Sequence, residues 1–258
     1  MDLKLNDKIA LVTGAGSQIG YGKTIALTLA KEGCDVVVAD IDFEGVQKTA
    51  DAIESSGRQA LAIKVDIGNR DEVDTMINMA LEKFKKIDIL VNNAGVGKPK
   101  PFIETTQDDW NFTVNTNLYG LMNVTQAILP HMIACKYGRI VNIAGGRGMA
   151  LLSVYGATKA GIQSFTQSLA KEVTSLGVIV NAVEPGLALT GLTKGAPPEF
   201  LENFRQGSLL KRFCTPEDLA PLVVFLSSDT CSYMVGQYIT LEDPPPPPPP
   251  PSGGFLTK

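Results

Sequence analysis

Seven short apolar runs recur along the chain: KIALVT (8–13), DVVVAD (35–40), QALAIKV (59–65), IDILVN (87–92), GRIVNIA (138–144), GVIVNAV (177–183) and QYITL (237–241). They are nearly continuous in Val, Ile, Leu and Ala, with little polar alternation, which is the pattern of strands covered on both faces. Between them lie helical stretches at 22–32, 43–56, 70–85, 107–135, 154–176 and 216–228, several opened by Asp, Thr or Pro. This alternation predicts an α/β fold, a doubly wound seven-stranded parallel sheet flanked by helices. Ligands of such sheets bind beyond the carboxyl ends of the strands, so function is to be sought in the residues just after each strand.

A chain of 258 residues built this way is expected to form one domain, over residues 1–243. Hydrophobic residues at 44% and charged residues at 19% suit a packed globular body and exclude disordered or fibrous compositions. Two segments interrupt the alternation. Residues 187–212 have no strand, carry Gly and paired Pro, and are expected to form a lid over a substrate. Eight consecutive prolines at 244–251 dominate a tail, 244–258, expected to be disordered and outside the domain.

A net charge of -4 and a pI near 5.1 give no basic surface for nucleic acid or anionic membrane, so neither is an expected partner. No apolar run approaches the roughly 20 residues that cross a bilayer. MDLKLNDKIALVTG runs directly into a strand, and the expected location is cytoplasmic. Cys34, Cys135, Cys214 and Cys231 form no CxxC pair and His131 is the lone histidine, so neither a metal site nor a histidine triad is expected.

After the first strand stands Thr13-Gly14-Ala15-Gly16-Ser17-Gln18-Ile19-Gly20-Tyr21-Gly22, and a helix follows at once. Glycines between a strand and a helix permit a tight turn, admit a pyrophosphate to the backbone and leave helix N–H groups free to hold its charge. An acidic residue ends the second strand: Asp40, followed by Ile41. Its carboxylate can accept hydrogen bonds from ribose hydroxyls and repels a 2′-phosphate, which favours NAD over NADP. Candidate cofactor contacts here are Gly14, Ser17, Gln18, Ile19, Gly20, Tyr21, Gly22, Asp40 and Ile41.

With this turn the chain resembles the short-chain dehydrogenase/reductase family, whose first-turn pattern is TGxxxGxG, over about residues 6 to 241. Gly14, Gly20 and Gly22 match if Gln18-Ile19 are an insertion; direct counting puts Gln18 at a glycine position. The resemblance implies a Rossmann-like fold and cofactor contacts from Asp66 and Ile67 after the third strand. It also implies contacts from Asn93, Ala94 and Gly95 of the NNAG segment (92–95), and from Pro185, Gly186 and Thr190 after the sixth strand.

Tyr155 and Lys159 stand four residues apart, on one face of a helix. A nearby cation stabilises a phenolate and lowers the phenol's pKa. The resemblance makes Tyr155 the general acid/base and Lys159 a residue that also grips the nicotinamide ribose. It makes Asn117, in preference to Asn115, the residue that orders a water beside the lysine. Relatives carry a serine shortly after the fifth strand; here the chain reads Ile143-Ala144-Gly145-Gly146-Arg147-Gly148, and Ser153 matches a non-catalytic position. Gly145 and Arg147 are therefore candidate substrate contacts. The expected function is NAD-linked interconversion of a secondary alcohol and a ketone, in a homotetramer joined through the helices 107–135 and 154–176. The missing serine leaves two other readings open: a non-redox lyase or isomerase on the same scaffold, and a catalytically weak NAD-binding regulatory protein.

Overall fold

A computed structural model describes residues 2–146, 149–186, 188–189 and 198–241. Seven parallel strands form one sheet in the order β3-β2-β1-β4-β5-β6-β7. They are β1 (Ile9–Thr13), β2 (Asp35–Asp40), β3 (Ala60–Lys64), β4 (Ile89–Asn92), β5 (Gly138–Ile143), β6 (Val178–Pro185) and β7 (Tyr238–Leu241). Strand order reverses between β1 and β4, which opens a crevice at their carboxyl ends.

The near-continuous apolar runs have their cause in this arrangement. Ala10 and Val12 of β1 face one layer with Val36 and Val38, covered by α1 (Tyr21–Lys31) and α8 (Pro216–Leu226). Leu11 faces the other layer with Val37 and Leu90, beneath α3 (Arg70–Phe84), α5 (Leu121–Ala134) and α6 (Ser153–Val173). All six of these β1 and β2 side chains are inaccessible to water, so a polar residue at any of them would need a buried hydrogen-bond partner. Local capping fixes where helices begin. Asp42 accepts from the Gly45 N–H at the start of α2 (Phe43–Glu54), and Thr106 and Asp109 form a reciprocal capping box on α4 (Gln107–Val114).

One expectation needs correction. The stretch 107–135 is not one regular helix: α4 passes into a π-helical turn, Asn115–Gly120, before α5. The residue added to a π turn displaces the side chains it carries, and such turns concentrate at functional sites. The described part of the segment 187–212 contains α7 (Pro198–Gly207), and Ala188 pairs with Cys214 in an isolated parallel bridge. Within it, residues 187 and 190–197 lie outside the described residues, as does the tail 244–258. Among the described residues no helix is long and apolar enough to cross a membrane.

A buried polar ladder ties the central strands to the helices that carry the site. Asn92 donates to Thr125 Oγ1 of α5 (3.0 Å) and to Asn142 Oδ1 of β5 (2.9 Å), and Asn142 donates to Thr166 Oγ1 of α6 (2.9 Å). Asn142→Ala removes one bond at each end and leaves the Asn92 amide and the Thr166 hydroxyl without that partner. The expected cost is about 1–3 kcal/mol, read as a lower denaturant midpoint at unchanged m-value. A variant within about 0.5 kcal/mol of wild type would mean the ladder contributes little.

Candidate active site

At the carboxyl end of β1 the chain turns on Gly14 and enters α1 through Gly20 and Tyr21. A Cβ at Gly22 would lie 2.2 Å from the Gly14 carbonyl oxygen, so Gly22 is the glycine that lets the helix press on the strand end. This identifies Gly14, Gly20 and Gly22 as the three that match the family pattern, with the extra residues between them. The inserted stretch is stitched down by side chains. Gln18 Nε2 donates to the carbonyls of Gly16 (2.9 Å) and Gly45 (3.0 Å), and its Oε1 accepts from Lys23. Thr49 Oγ1 donates to the Ala15 carbonyl at 2.8 Å. The Gln18 side chain is thus spent on holding the loop. Ile19 is exposed, and a Cβ at Gly20 would touch Ser17, so Ser17 lies against the helix entry.

Asp40, at the end of β2, accepts from the Gly16 N–H (2.9 Å) and the Asp42 N–H (3.1 Å). Ile41 beside it is exposed. Asp66 accepts from the Gly68 N–H at 2.8 Å. Ile67 is buried and turns into the protein: a Cβ on Gly120 would meet its side chain at 2.6 Å. The Ile67 side chain is thus spent on packing against the π turn. Asn115 faces the same turn, against Gly68, and leaves the role near the lysine to Asn117.

The NNAG segment joins the two halves of the crevice. Asn93 donates from its amide to the carbonyls of Thr13 and Gly14, both at 3.0 Å, and the N–H groups of Asn93 and Ala94 reach Thr13 Oγ1. Asn117, carried on the π turn, accepts from the Val96 N–H (2.8 Å) and donates to the Val96 carbonyl (2.9 Å) and Thr158 Oγ1 (3.0 Å). Lys159 donates to the Ile143 carbonyl at 2.8 Å. A Cβ on Gly95 would lie 3.2 Å from Lys159 Nζ and 3.4 Å from Asn117 Oδ1, so β4, β5, the π turn and α6 converge on one ammonium group. Burial pulls Lys159 down to about 8.

Lys159 Nζ stands 5.6 Å from the Tyr155 ring centroid. The lowering of the phenol that this spacing suggests is outweighed: burial first, then the Glu184 carboxylate, push Tyr155 up to about 12. The phenol is a held proton at neutral pH. Behind its ring the chain turns through Gly145 (φ +104°) and Gly146 (φ +78°), left-handed conformations that disfavour a side chain. A Cβ at Gly146 would lie 2.5 Å from Tyr155 Cε1, and one at Gly145 would press on Pro185 and Glu184. A serine at 145 would be strained in this backbone and would need Pro185 and Glu184 to give by a few tenths of an ångström. Arg147 lies outside the described residues.

Two site features escaped the sequence reading, Glu184 and the lysine pair below, and a bridge between two residues it named adds to them. Glu184, buried just before Pro185, accepts from the Tyr238 hydroxyl at 2.6 Å; a carboxylate inside an apolar strand was its signal. Tyr21 donates to the Gly186 carbonyl at 3.2 Å, bridging the first turn to the segment after β6. Burial, with Cys214 beside it, holds that phenol far above the usual range. Lys98 and Lys100 line a crevice together with Ser153 and Tyr155. Thr190 lies outside the described residues. His131 accepts from the Ile87 N–H at 3.4 Å, remote from these groups, as a structural residue.

The arrangement fits a dinucleotide. No side chain caps the first turn of α1, so its N–H groups stay open for a pyrophosphate, with Asp40 at the ribose end and Tyr155 and Lys159 at the other. A family model described as Enoyl-(Acyl carrier protein) reductase matches residues 14–242. Among curated relatives, the (2S)-[(R)-hydroxy(phenyl)methyl]succinyl-CoA dehydrogenase subunit BbsD of Thauera aromatica is 37% identical over 240 residues, 91% of this chain and 95% of its own. Among solved structures, 3-ketoacyl-(acyl-carrier-protein) reductase from Brucella melitensis, complexed with NADH, is similar at TM-score 0.85 and 34% identity over 93% of this chain and 98% of its own. L-Sorbose reductase from Gluconobacter frateurii, complexed with NADPH and L-sorbose, gives TM-score 0.87 and 30% identity over 94% of this chain and 98% of its own.

Glu184→Gln removes a negative charge from beside Tyr155 while keeping an oxygen to accept from Tyr238. The phenol then ionises at lower pH than in wild type, because its anion loses a like-charge neighbour. Phenolate absorbance, taken as the difference between each protein and its Tyr155→Phe counterpart, reads the shift. An unmoved titration would remove Glu184 from the electrostatics of the site.

Proposed function

The chain belongs to the short-chain dehydrogenase/reductase family and is an oxidoreductase of it, and from that premise we propose that it interconverts a 3-oxoacyl ketone and the corresponding secondary alcohol with NAD(H). The observation that carries the reading is Tyr155, a phenol protonated at neutral pH, four residues from the buried Lys159, whose Nζ stands 5.6 Å from its ring centroid. Such a phenol is poised to give a proton to a carbonyl oxygen. The acyl-carrier and acyl-CoA relatives support a 3-oxoacyl substrate.

When bound, the nicotinamide supplies or accepts the hydride. Gly14, Gly20 and the open first turn of α1 would hold its pyrophosphate, Asp40 the adenosine ribose, and Lys159 the nicotinamide ribose. Pro185, Gly186 and Thr190 would hold the carboxamide. Tyr155 moves the proton, and Lys159, with Asn117 beside it, replenishes it. In place of the family serine the chain carries the Gly145-Gly146 turn, where a Cβ on Gly146 would lie 2.5 Å from Tyr155 Cε1. Loss of one oxyanion donor costs about 10²–10³ in rate, so this substitution decides whether the enzyme is fast or slow. Asp40, followed by Asp42 and Glu44, opposes a 2′-phosphate. The segment 187–212 serves as the lid. Phe112, Tyr119 and Met122, exposed along α4, the π turn and α5, suit burial between subunits of a homotetramer.

One experiment tests the proton donor and the cofactor together. Wild type oxidises NADH in the presence of a 3-oxoacyl thioester, and Tyr155→Phe lowers kcat by about 10²–10⁴ with NADH affinity unchanged by calorimetry. NADPH binds about tenfold or more weakly than NADH. Retained turnover in the Phe variant would remove Tyr155 as the acid, and equal affinity for both cofactors would remove Asp40 as the discriminator.

A further inference from the structure

Lys98 and Lys100, from the loop after β4, line one crevice with Ser153 and Tyr155 at the start of α6. Both ammonium groups point at one carboxylate, Asp109, at 3.3 and 3.2 Å. Two cations on one anion leave net positive charge at the mouth. Asp109 is further committed to the first turn of α4, where it accepts from the Thr106 N–H and hydroxyl at 3.1 Å each. The lysine loop is anchored across the crevice, because the Lys100 N–H donates to the Leu151 carbonyl at 2.8 Å.

The facing wall has the same polarity. No side chain caps α6, a helix of 21 residues, and no acidic residue lies in its first turn. Such a terminus favours anions. Ser153, its first residue, lines the crevice too. Proton transfer at Tyr155 makes no use of Lys98 or Lys100, whose charge sits beside the reacting position and not at it.

Resting on the ketoreductase reading, we propose that the substrate carries an oxyanion, a carboxylate or a phosphate, and that Lys98 and Lys100 hold it at the mouth of the crevice while its carbonyl reaches Tyr155. The lysines are specificity-determining residues. They select anionic 3-oxo substrates over neutral ones of the same carbon skeleton, and Asp109 keeps them apart and aligned until the anion enters.

The test compares wild type, the double variant Lys98→Ala/Lys100→Ala, and Asp109→Asn on three substrates: acetoacetate, acetoacetyl-CoA, and the neutral thioester S-acetoacetyl-N-acetylcysteamine. The double variant loses about tenfold or more in kcat/KM on an anionic substrate and changes little on the neutral one. Added salt reproduces the loss in wild type. Asp109→Asn, which keeps an acceptor for Thr106, improves the anionic substrate alone. Preference for acetoacetate identifies a carboxylate as the group held, and preference for acetoacetyl-CoA a phosphate. Equal losses on neutral and anionic substrates, or none, overturn the proposal while leaving the ketoreductase reading intact. If wild type reduces none of the three, calorimetric binding of malonate and of inorganic phosphate in the presence of NADH decides: binding that vanishes in the double variant sustains the anion site, and binding that is absent or unaffected refutes it.

Discussion

An ammonium group enclosed by protein is expensive to keep, and Lys159 is such a group, 3% exposed and offered the Ile143 carbonyl as acceptor. The surroundings of the site follow from housing it. The end of β5 supplies the carbonyl, Gly95 leaves room above the Nζ, and the π turn brings Asn117 alongside. Asn117 is in turn locked by both backbone groups of Val96 and by Thr158. A core lysine replaceable by an apolar residue would not need this enclosure, so its justification lies in the chemistry at Tyr155.

The sheet supplies the geometry for that enclosure. Because strand order reverses between β1 and β4, the glycine turn and the NNAG segment end side by side, and Asn93 welds them through Thr13 and Gly14. The buried ladder from Asn92 through Asn142 to Thr166 then sets α5 and α6 on the same strands. Precision at the site is thus inherited from strand register. The one place where the family arrangement is abandoned, Gly145-Gly146, is also where the backbone takes left-handed values and presses against Tyr155. There the missing hydroxyl is part of a different turn and not a simple deletion.

The fold was legible because strands buried on both faces must be apolar throughout, and runs such as DVVVAD leave no alternative period. Asp40 was readable from its place after a strand and Tyr155 and Lys159 from their spacing on one helix face, whereas Asn117 came only from the family resemblance. What stayed hidden depends on contacts between distant residues. Gln18 sits in the turn, and only the fold shows that its amide is drawn to Gly45, 27 residues away. Ile67 follows Asp66, and only the fold shows that Gly120 gives its side chain a hole to fill. Glu184 and the paired lysines carried no motif at all; only packing shows that the first neighbours Tyr155 and that the others share one carboxylate. The π turn was unreadable because one extra residue does not disturb the apolar pattern of 107–135 enough to signal it.

The central claim is that Lys159 is a buried ammonium retained for chemistry at a cost to the fold, and its proton uptake tests this most directly. In the folded protein the group titrates near 8 and in the unfolded chain near 10.4. Its depressed value destabilises the native state fully below about 8 and progressively less as pH rises towards the unfolded value. Lys159→Met removes that term. The stability of the variant relative to wild type, from denaturant unfolding at a series of pH values, is predicted to be most favourable near neutral pH and to decline as pH rises through this window, with turnover lost at every pH. A difference in stability that does not change with pH would contradict the account.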